Sequence, residues 1–388
     1  MSEKKVSDRQ RIEELLGIFS GIAASPKSQL DMYTGLGKKA VGVFPYYAPE
    51  ELVHAAGFIP LGIWGASGTV REAGRYFPAF YCTIARMGLE LALTGVLDRL
   101  SAVVMPTLCD TLRPLSQNFK AARPDIPMLF LAQPQNRKTY YGKDYYVSEL
   151  MRVKGELEAL AGKKITDEAL YESVQVYNES RAERRRFVQL AAAHASLVST
   201  QARSAALKSA YFTEKREHQT LLKELNDLLA AQPAENPRDY TRVVTSGILA
   251  DGGNLLKIFD EQSIRVAADD VAHESRSFRV DVPESLAAEA PMYALAEAFA
   301  QQTDDSLLWE ADLSHRQQHL IDLVLDSGAR GVVFLMMQFC DPEELDYPSL
   351  KAALDTMDIP SIQIGYDQQM TDFGQAETQL MTFKEIIG

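Results

Sequence analysis

Three cysteines, Cys82, Cys109 and Cys340, are the residues whose type and setting most readily do chemistry. Thiolates hold soft metals and iron–sulfur clusters. Cys109 lies in Pro106-Thr107-Leu108-Cys109-Asp110, just after an apolar run that reads as a strand. Cys340 lies in Met337-Gln338-Phe339-Cys340-Asp341, after another such run and ahead of a helix start. Ligands in open α/β sheets bind beyond the carboxyl ends of strands. Cys82, in Phe80-Tyr81-Cys82-Thr83, stands where a helix carrying Ile84 to Leu97 begins, and a helix N-terminus favours the thiolate. Three thiolates from distant parts of one chain suit a [4Fe–4S] cluster, with one iron left open to water, sulfide or substrate. Spacing alone favours the plainer reading, three small buried side chains, because no Cys-x-x-Cys pair occurs. Zinc would need a fourth ligand, such as a histidine.

Other residues carry weaker signals. Gly35, Gly37, Lys38 and Lys39 lack phosphate-loop spacing and precede a strand, so they read as a helix C-terminus. Asp251-Gly252-Gly253-Asn254 reads as a tight turn between strand and helix. Arg184-Arg185-Arg186 reads as a solvated helix face. Asp269-Asp270 and Glu274-Ser275-Arg276-Ser277-Phe278 offer hydroxyls and a guanidinium that could orient a ligand. His54, in mid-helix, and His273, in a loop, show no evident partner, and no Gly-x-Ser-x-Gly nucleophile motif occurs.

Alternating elements must position these groups. Strands are expected at 40–44, 58–64, 102–105 and 128–131, with helices opening at Pro49 and Pro114. From about 145 to 232 Gly and Pro thin out. Thr166 reads as an N-cap, and Leu170, Val174 and Tyr177 fall on one helical face. Strands return at 242–245, 264–267, 331–336 and 359–364, and a helix starts with Asp341 as N-cap and Pro342 in its first position. Strands alternating with helices imply parallel sheets covered on both faces. The expected fold is α/β: two doubly wound lobes, 1–140 with Cys82 and Cys109 and 237–388 with Cys340, joined by a helical segment, 141–236. The cysteine site would then lie between the lobes.

Composition narrows the classes. At roughly 100–200 residues per domain, 388 residues imply two or three domains. The apolar fraction of 46% and charged fraction of 24% are those of a globular protein. No apolar run reaches transmembrane length, and the charged start MSEKKVSDRQRIEELL is no secretory signal. The net charge of −13 argues against nucleic-acid and anionic-membrane binding. An odd number of cysteines without a signal peptide points to a reducing cytoplasm.

At the cysteines the sequence resembles the 2-hydroxyacyl-CoA dehydratase family, which includes benzoyl-CoA reductase subunits, and within it the β subunits of 2-hydroxyglutaryl-CoA dehydratases. The resemblance rests on Phe44-Pro45-Tyr46-Tyr47-Ala48-Pro49-Glu50-Glu51-Leu52-Val53, Phe80 to Ala85, Leu108 to Pro114 and Gln117-Asn118-Phe119-Lys120. It continues in Ala267 to Asp270, Glu274 to Phe278 and Met336 to Glu344, and so covers nearly the whole chain.

The resemblance implies a [4Fe–4S] cluster on Cys82, Cys109 and Cys340. It also implies dehydration of a 2-hydroxyacyl-CoA, with (R)-2-hydroxyglutaryl-CoA favoured over lactoyl-CoA or an aryl-lactoyl-CoA. In such a thioester the β hydrogen is not acidified directly. Family enzymes are understood to add one electron to the carbonyl; the ketyl radical anion expels the α-hydroxyl, the enoxy radical loses the β proton, and the electron returns. The implied partners are a homologous α subunit and an ATP-dependent iron–sulfur activator. Substrate would bind chiefly at the α-subunit cluster, leaving this chain's cluster as an electron relay. No acid or base is assigned; Asp110, Gln338, Asp341 and Ser277 are candidates to surround the cluster. Some family members carry a flavin, and this sequence has no fingerprint that decides it. A stand-alone iron–sulfur electron carrier is the rival of a different class.

Overall fold

Short apolar runs, too brief for helices and rich in β-branched residues, form two parallel sheets in the computed structural model, which describes residues 7–44, 46–233, 235–251 and 254–388. The first sheet contains β1 (Ala40–Val43), β2 (Ile59–Gly62), β3 (Leu100–Pro106) and β4 (Met128–Leu131), in the order β2-β1-β3-β4. The second contains β5 (Thr241–Gly247), β6 (Ile264–Val271), β7 (Val332–Met337) and β8 (Ser361–Tyr366), in the order β6-β5-β7-β8. The topology is the same twice. Val43 pairs with Val104 across β1 and β3, and Gly247 with Leu335 across β5 and β7. Each sheet therefore reverses its winding between its two central strands, the position at which α/β sheets open a ligand crevice.

Helices α1 (Asp8–Ala24) and α2 (Pro26–Gly35) precede the first sheet, and α3 (Glu50–Ala55), α4 (Thr83–Leu93) and α5 (Leu112–Ala122) connect its strands. Four helices follow: α6 (Tyr140–Ala161), α7 (Asp167–Ala193), α8 (Thr200–Ser209) and α9 (Lys215–Ala230). The second sheet is connected by α10 (Leu255–Glu261), α11 (Glu284–Glu289), α12 (Pro291–Gln301), α13 (Ser314–Ser327) and α14 (Asp341–Thr356), and α15 (Gly374–Ile387) closes it. The α/β architecture expected from the alternation is present, and all eight expected strands form. No helix among the described residues is long and apolar enough to cross a membrane.

The differences from the sequence reading are local. The helix expected from Pro114 starts at Leu112; proline is tolerated in its first turn because the N–H it lacks has no intrahelical acceptor there. The cap of α14 is Cys340, not Asp341, which puts Asp341 and Pro342 in the first two helical positions. The N-terminal stretch forms α1, whose Ile12, Leu15, Leu16 and Phe19 pack with Phe187, Leu207 and Leu222 of the helical segment. Their i, i+3, i+4, i+7 spacing is a helical period interleaved with charge. Arg184 is not solvated: it is 5% exposed and lies 5.1 Å over the Phe278 ring. Arg185 instead pairs with Asp281 and Arg186 with Asp227, because α7 is packed on several sides. Gly37, at φ 76°, does end α2 as expected.

One apolar core runs through both sheets. Thr166 caps α7 as its sequence suggests, with Oγ1 accepting from Ala169 N at 3.2 Å. Thr166→Ala is expected to cost about 1 kcal/mol and Thr166→Ser much less. Urea midpoints check this; equal midpoints for wild type and Thr166→Ala would contradict the cap.

Two histidines are folded in their neutral form. His218 Nε2 donates to Ala206 O at 3.0 Å, and His273 Nδ1 accepts from Ala250 N at 3.3 Å beneath the edge of Trp64. So His54 and His273 both have partners after all; His54 Nδ1 meets Ser173 Oγ at 2.9 Å. Burial pushes His218 and His273 from 6.5 down to about 3. Below pH 6.5 the unfolded chain takes up protons that the fold excludes. Stability is therefore complete above that pH and falls on acidification, by about 1.4 kcal/mol per pH unit for each histidine. Urea midpoints at pH 7 and pH 5 measure the slope, which His218→Gln should lower by that single-histidine amount; a flat profile would refute it.

Candidate functional site

The ends of the central strands face one another across the lobes. Phe44 and Tyr46 follow β1, and Leu108 and Cys109 follow β3. Ile248 follows β5, and Phe339 and Cys340 follow β7. Together with Cys82, Ile84 and Leu307 they line a cavity of about 50 Å³. All three cysteines thus reach one space, as expected from their placement after strands and at a helix start. Cys82 caps α4 and Cys340 caps α14; Cys109 lies one turn before α5, where Leu112 N donates to its carbonyl at 3.2 Å. None forms a disulfide among the described residues. No group of three or more His, Cys, Asp or Glu among those residues is arranged to hold a metal ion.

The thiols are not activated as helix N-termini alone would make them. Burial pushes Cys82 up to about 12, although the backbone N–H groups of Ala85 and Ile84 oppose it. Burial raises Cys109 against the N–H groups of Leu112 and Thr111. Cys340 is raised well above the ordinary thiol range, by burial and then by the nearby Glu343 carboxylate. Without a metal these are protonated thiols in apolar walls, and metal binding would displace their protons.

Cross-lobe hydrogen bonds fix the cavity. Tyr46 Oη donates to Ile248 O at 2.9 Å, and Tyr366 Oη donates to Leu249 O. Thr83, next to Cys82, accepts from Gln368 N at 3.2 Å and donates to Met337 Sδ at 3.2 Å. Tyr46, Tyr47 and Phe339 all sit in the left-handed region, with φ of 65°, 53° and 61°. Bulky residues rarely adopt it; Tyr46 and Phe339 line the cavity and Tyr47 adjoins Tyr46, which marks a site whose geometry is imposed by its surroundings. Pro45, which precedes Tyr46 in the sequence, lies outside the described residues.

A cleft of about 880 Å³ adjoins the cavity and shares Leu108, Cys109 and Asp341 with it. Asp110 and Asp341 line this cleft. Gln338 points to solvent, and Ser277 Oγ donates to Glu274 O at 2.8 Å, so neither lines the cavity. Asp251 is held by the Lys208 ammonium, and Gly252 and Gly253 of the same turn lie outside the described residues. Tyr46, Ile248 and Leu307 complete the walls. Tyr46 stands in the motif that carries the family resemblance, but Ile248 and Leu307 have no signal beyond hydrophobicity.

A two-lobed α/β protein with thiols gathered at both switch points is the class that fold and site define. Residues 45–387 match the family model "2-hydroxyglutaryl-CoA dehydratase, D-component". The chain belongs to this family. It is 47% identical to the beta subunit of (R)-2-hydroxyglutaryl-CoA dehydratase of Acidaminococcus fermentans, covering 96% of this chain and 99% of the relative. It is 40% identical to lactoyl-CoA dehydratase subunit beta of Anaerotignum propionicum (97% and 100% covered). With the (R)-phenyllactyl-CoA dehydratase beta subunit of Clostridium sporogenes it shares 38% (95% and 97%).

Proposed function

We propose that this chain is the β subunit of a 2-hydroxyacyl-CoA dehydratase, a hydro-lyase, acting on (R)-2-hydroxyglutaryl-CoA. The observation that carries the reading is that Cys82, Cys109 and Cys340, distant in sequence, line one apolar cavity in a chain 47% identical to such a subunit. The donor set fits a [4Fe–4S] cluster held by three cysteines, with one iron left for a non-cysteine ligand. When bound, such a cluster supplies single electrons and a Lewis-acidic iron. The chain's own residues would do the rest. The three thiols, as thiolates, would hold the cluster. Phe44, Tyr46, Ile84 and Ile248 would exclude water, which sharpens electrostatics around a buried cofactor. The cleft beside Cys109 would give access from solvent.

The partners belong to the same proposal: a homologous α subunit that binds the thioester, and an ATP-dependent iron–sulfur activator that supplies the first electron. The 40% and 38% relatives support a second reading of the acyl group, lactoyl or aryl-lactoyl. Coexpression with the α subunit under anoxia, followed by assay with activator, ATP and reductant, tests both readings. Dehydration of 2-hydroxyglutaryl-CoA in preference to lactoyl-CoA and phenyllactyl-CoA is expected. A preference for either of the others would replace the substrate assignment. No dehydration of any of the three by an iron-loaded complex would overturn the enzymatic one.

A further inference from the structure

Arg276 is 1% exposed, and its guanidinium reaches four side chains. Nε and Nη2 donate to the two oxygens of Asp270, each at 3.0 Å. Nη1 donates to Glu343 at 2.9 Å, Ser306 Oγ at 3.1 Å and Asp305 at 3.2 Å. These contacts lead to three separate walls of the cysteine cavity. Glu343 lies in the first turn of α14, where its N–H donates to Cys340 O at 3.1 Å. Asp305 and Ser306 immediately precede Leu307, and Ser306 Oγ donates to Glu343 at 2.5 Å. The other oxygen of Asp305 accepts from Tyr47 Oη at 2.5 Å, beside Tyr46. Asp270 belongs to β6 and is itself gripped by Arg279 at 3.0 Å and Arg316 at 2.8 Å.

The planar fork is what makes this possible. A guanidinium presents five donors in fixed directions, so it can hold several carboxylates in one mutual geometry. Three of the segments it ties down are those with strained backbone or cavity walls: Phe339-Cys340, Tyr46-Tyr47 and Leu307. Strained conformations persist only where the surroundings over-determine them. Arg276 is bonded toward all three.

We propose that Arg276 is a positioning residue: acting through Glu343 and Asp305, it holds the Cys340 thiol in the cavity that it shares with Cys82 and Cys109. The importance of that placement rests on the cluster reading, but the placement itself can be tested without metal.

The full-length, metal-free, reduced chain is treated with iodoacetamide, and alkylation of each cysteine is followed by peptide mass spectrometry. In Arg276→Gln the rate at Cys340 should rise by about tenfold or more, as for a locally opened segment. Cys82 and Cys109 should rise clearly less than Cys340, because Arg276 reaches them only through the shared walls at Tyr46 and Leu307 and not through their own helix starts. Arg276→Lys keeps the charge but not the fork, and should give only partial protection. Glu343→Asp, a milder change that keeps the carboxylate charge beside Cys340 but shortens its reach to Arg276, should raise the Cys340 rate alone and carries the test if Arg276→Gln does not fold. An unchanged Cys340 rate in the folded variants would overturn the proposal, as would an equal rise at all three cysteines. If wild-type protein takes up no iron while the Cys340 rate still rises selectively, the positioning role stands and the cluster reading falls.

Discussion

Cys340→Ser is expected to abolish iron–sulfur assembly in this chain. Wild-type protein purified or reconstituted under anoxia should carry about four iron and four acid-labile sulfide per chain, and the variant less than about one of each. Cys82→Ser and Cys109→Ser should do the same, because the cavity offers no fourth cysteine to substitute. The loss would not come from unfolding. The three thiols join no disulfide, and exchanging one sulfur for oxygen in a wall of the cavity removes little packing. The melting temperature of the metal-free protein should therefore move by only about 1–2 °C, the scale of roughly 1 kcal/mol in a chain of this size. Iron, sulfide and the EPR spectrum of the reduced protein distinguish this from zinc, which brings one metal and no sulfide. A flavin would announce itself by absorption that survives all three substitutions. Full iron content in any one variant would remove that cysteine from the ligand set.

Arg203→Leu should be strongly destabilising, at about 3–5 kcal/mol. Arg203, on α8, donates to Asp269 at the end of β6 and to Glu274, and all three side chains are buried. Asp269 also accepts from Ser275 N at 2.9 Å, so this cluster fixes how the helical segment meets the second sheet. Burial already pushes Glu274 upward, and Arg203 is the main opposing charge. Removing the guanidinium leaves two carboxylates in the interior, where an unpaired charge is very costly. Arg203→Lys should recover part of the loss, since it restores the charge without the fork. The contrast is Lys351→Ala, which breaks an exposed pair with Asp355 and should cost less than about 1 kcal/mol. Urea midpoints at constant slope measure all three. A loss of under about 1 kcal/mol for Arg203→Leu would show that the cluster relaxes or admits water.

Much of this protein was legible in its sequence because the informative signals are local. Hydrophobic runs with β-branched residues marked all eight strands, and Thr166 announced the start of α7. The helices of the C-terminal lobe were harder. In Pro291–Gln301 nearly every position is apolar or small, and eight of its residues are buried, so no polar face betrays a period. The start of α14 lies one residue away from the acid that its sequence suggests: Phe339 takes a left-handed conformation, and Cys340 rather than Asp341 stands at the cap. Nothing in the local sequence favours that conformation for a phenylalanine; it is imposed by contacts from other segments.

In the sequence, three cysteines stand each after a strand or at a helix start, on a repeated α/β pattern that places such positions in a crevice, and the family resemblance rather than their spacing made them candidate cluster ligands. That the three meet is a property of the assembled fold, because their meeting depends on two switch points being turned toward each other. The fold also decided their protonation. A helix start favours the thiolate, but burial outweighs it, and that burial, partial at Cys82 and Cys109 and greater at Cys340, is a property of the assembled lobes. The buried network around Arg276 is of the same kind. Asp270, Asp305 and Glu343 are ordinary acids in sequence, up to 73 positions apart. They become one device only when the fold removes water from among them, which makes each unpaired charge costly and a single planar cation decisive.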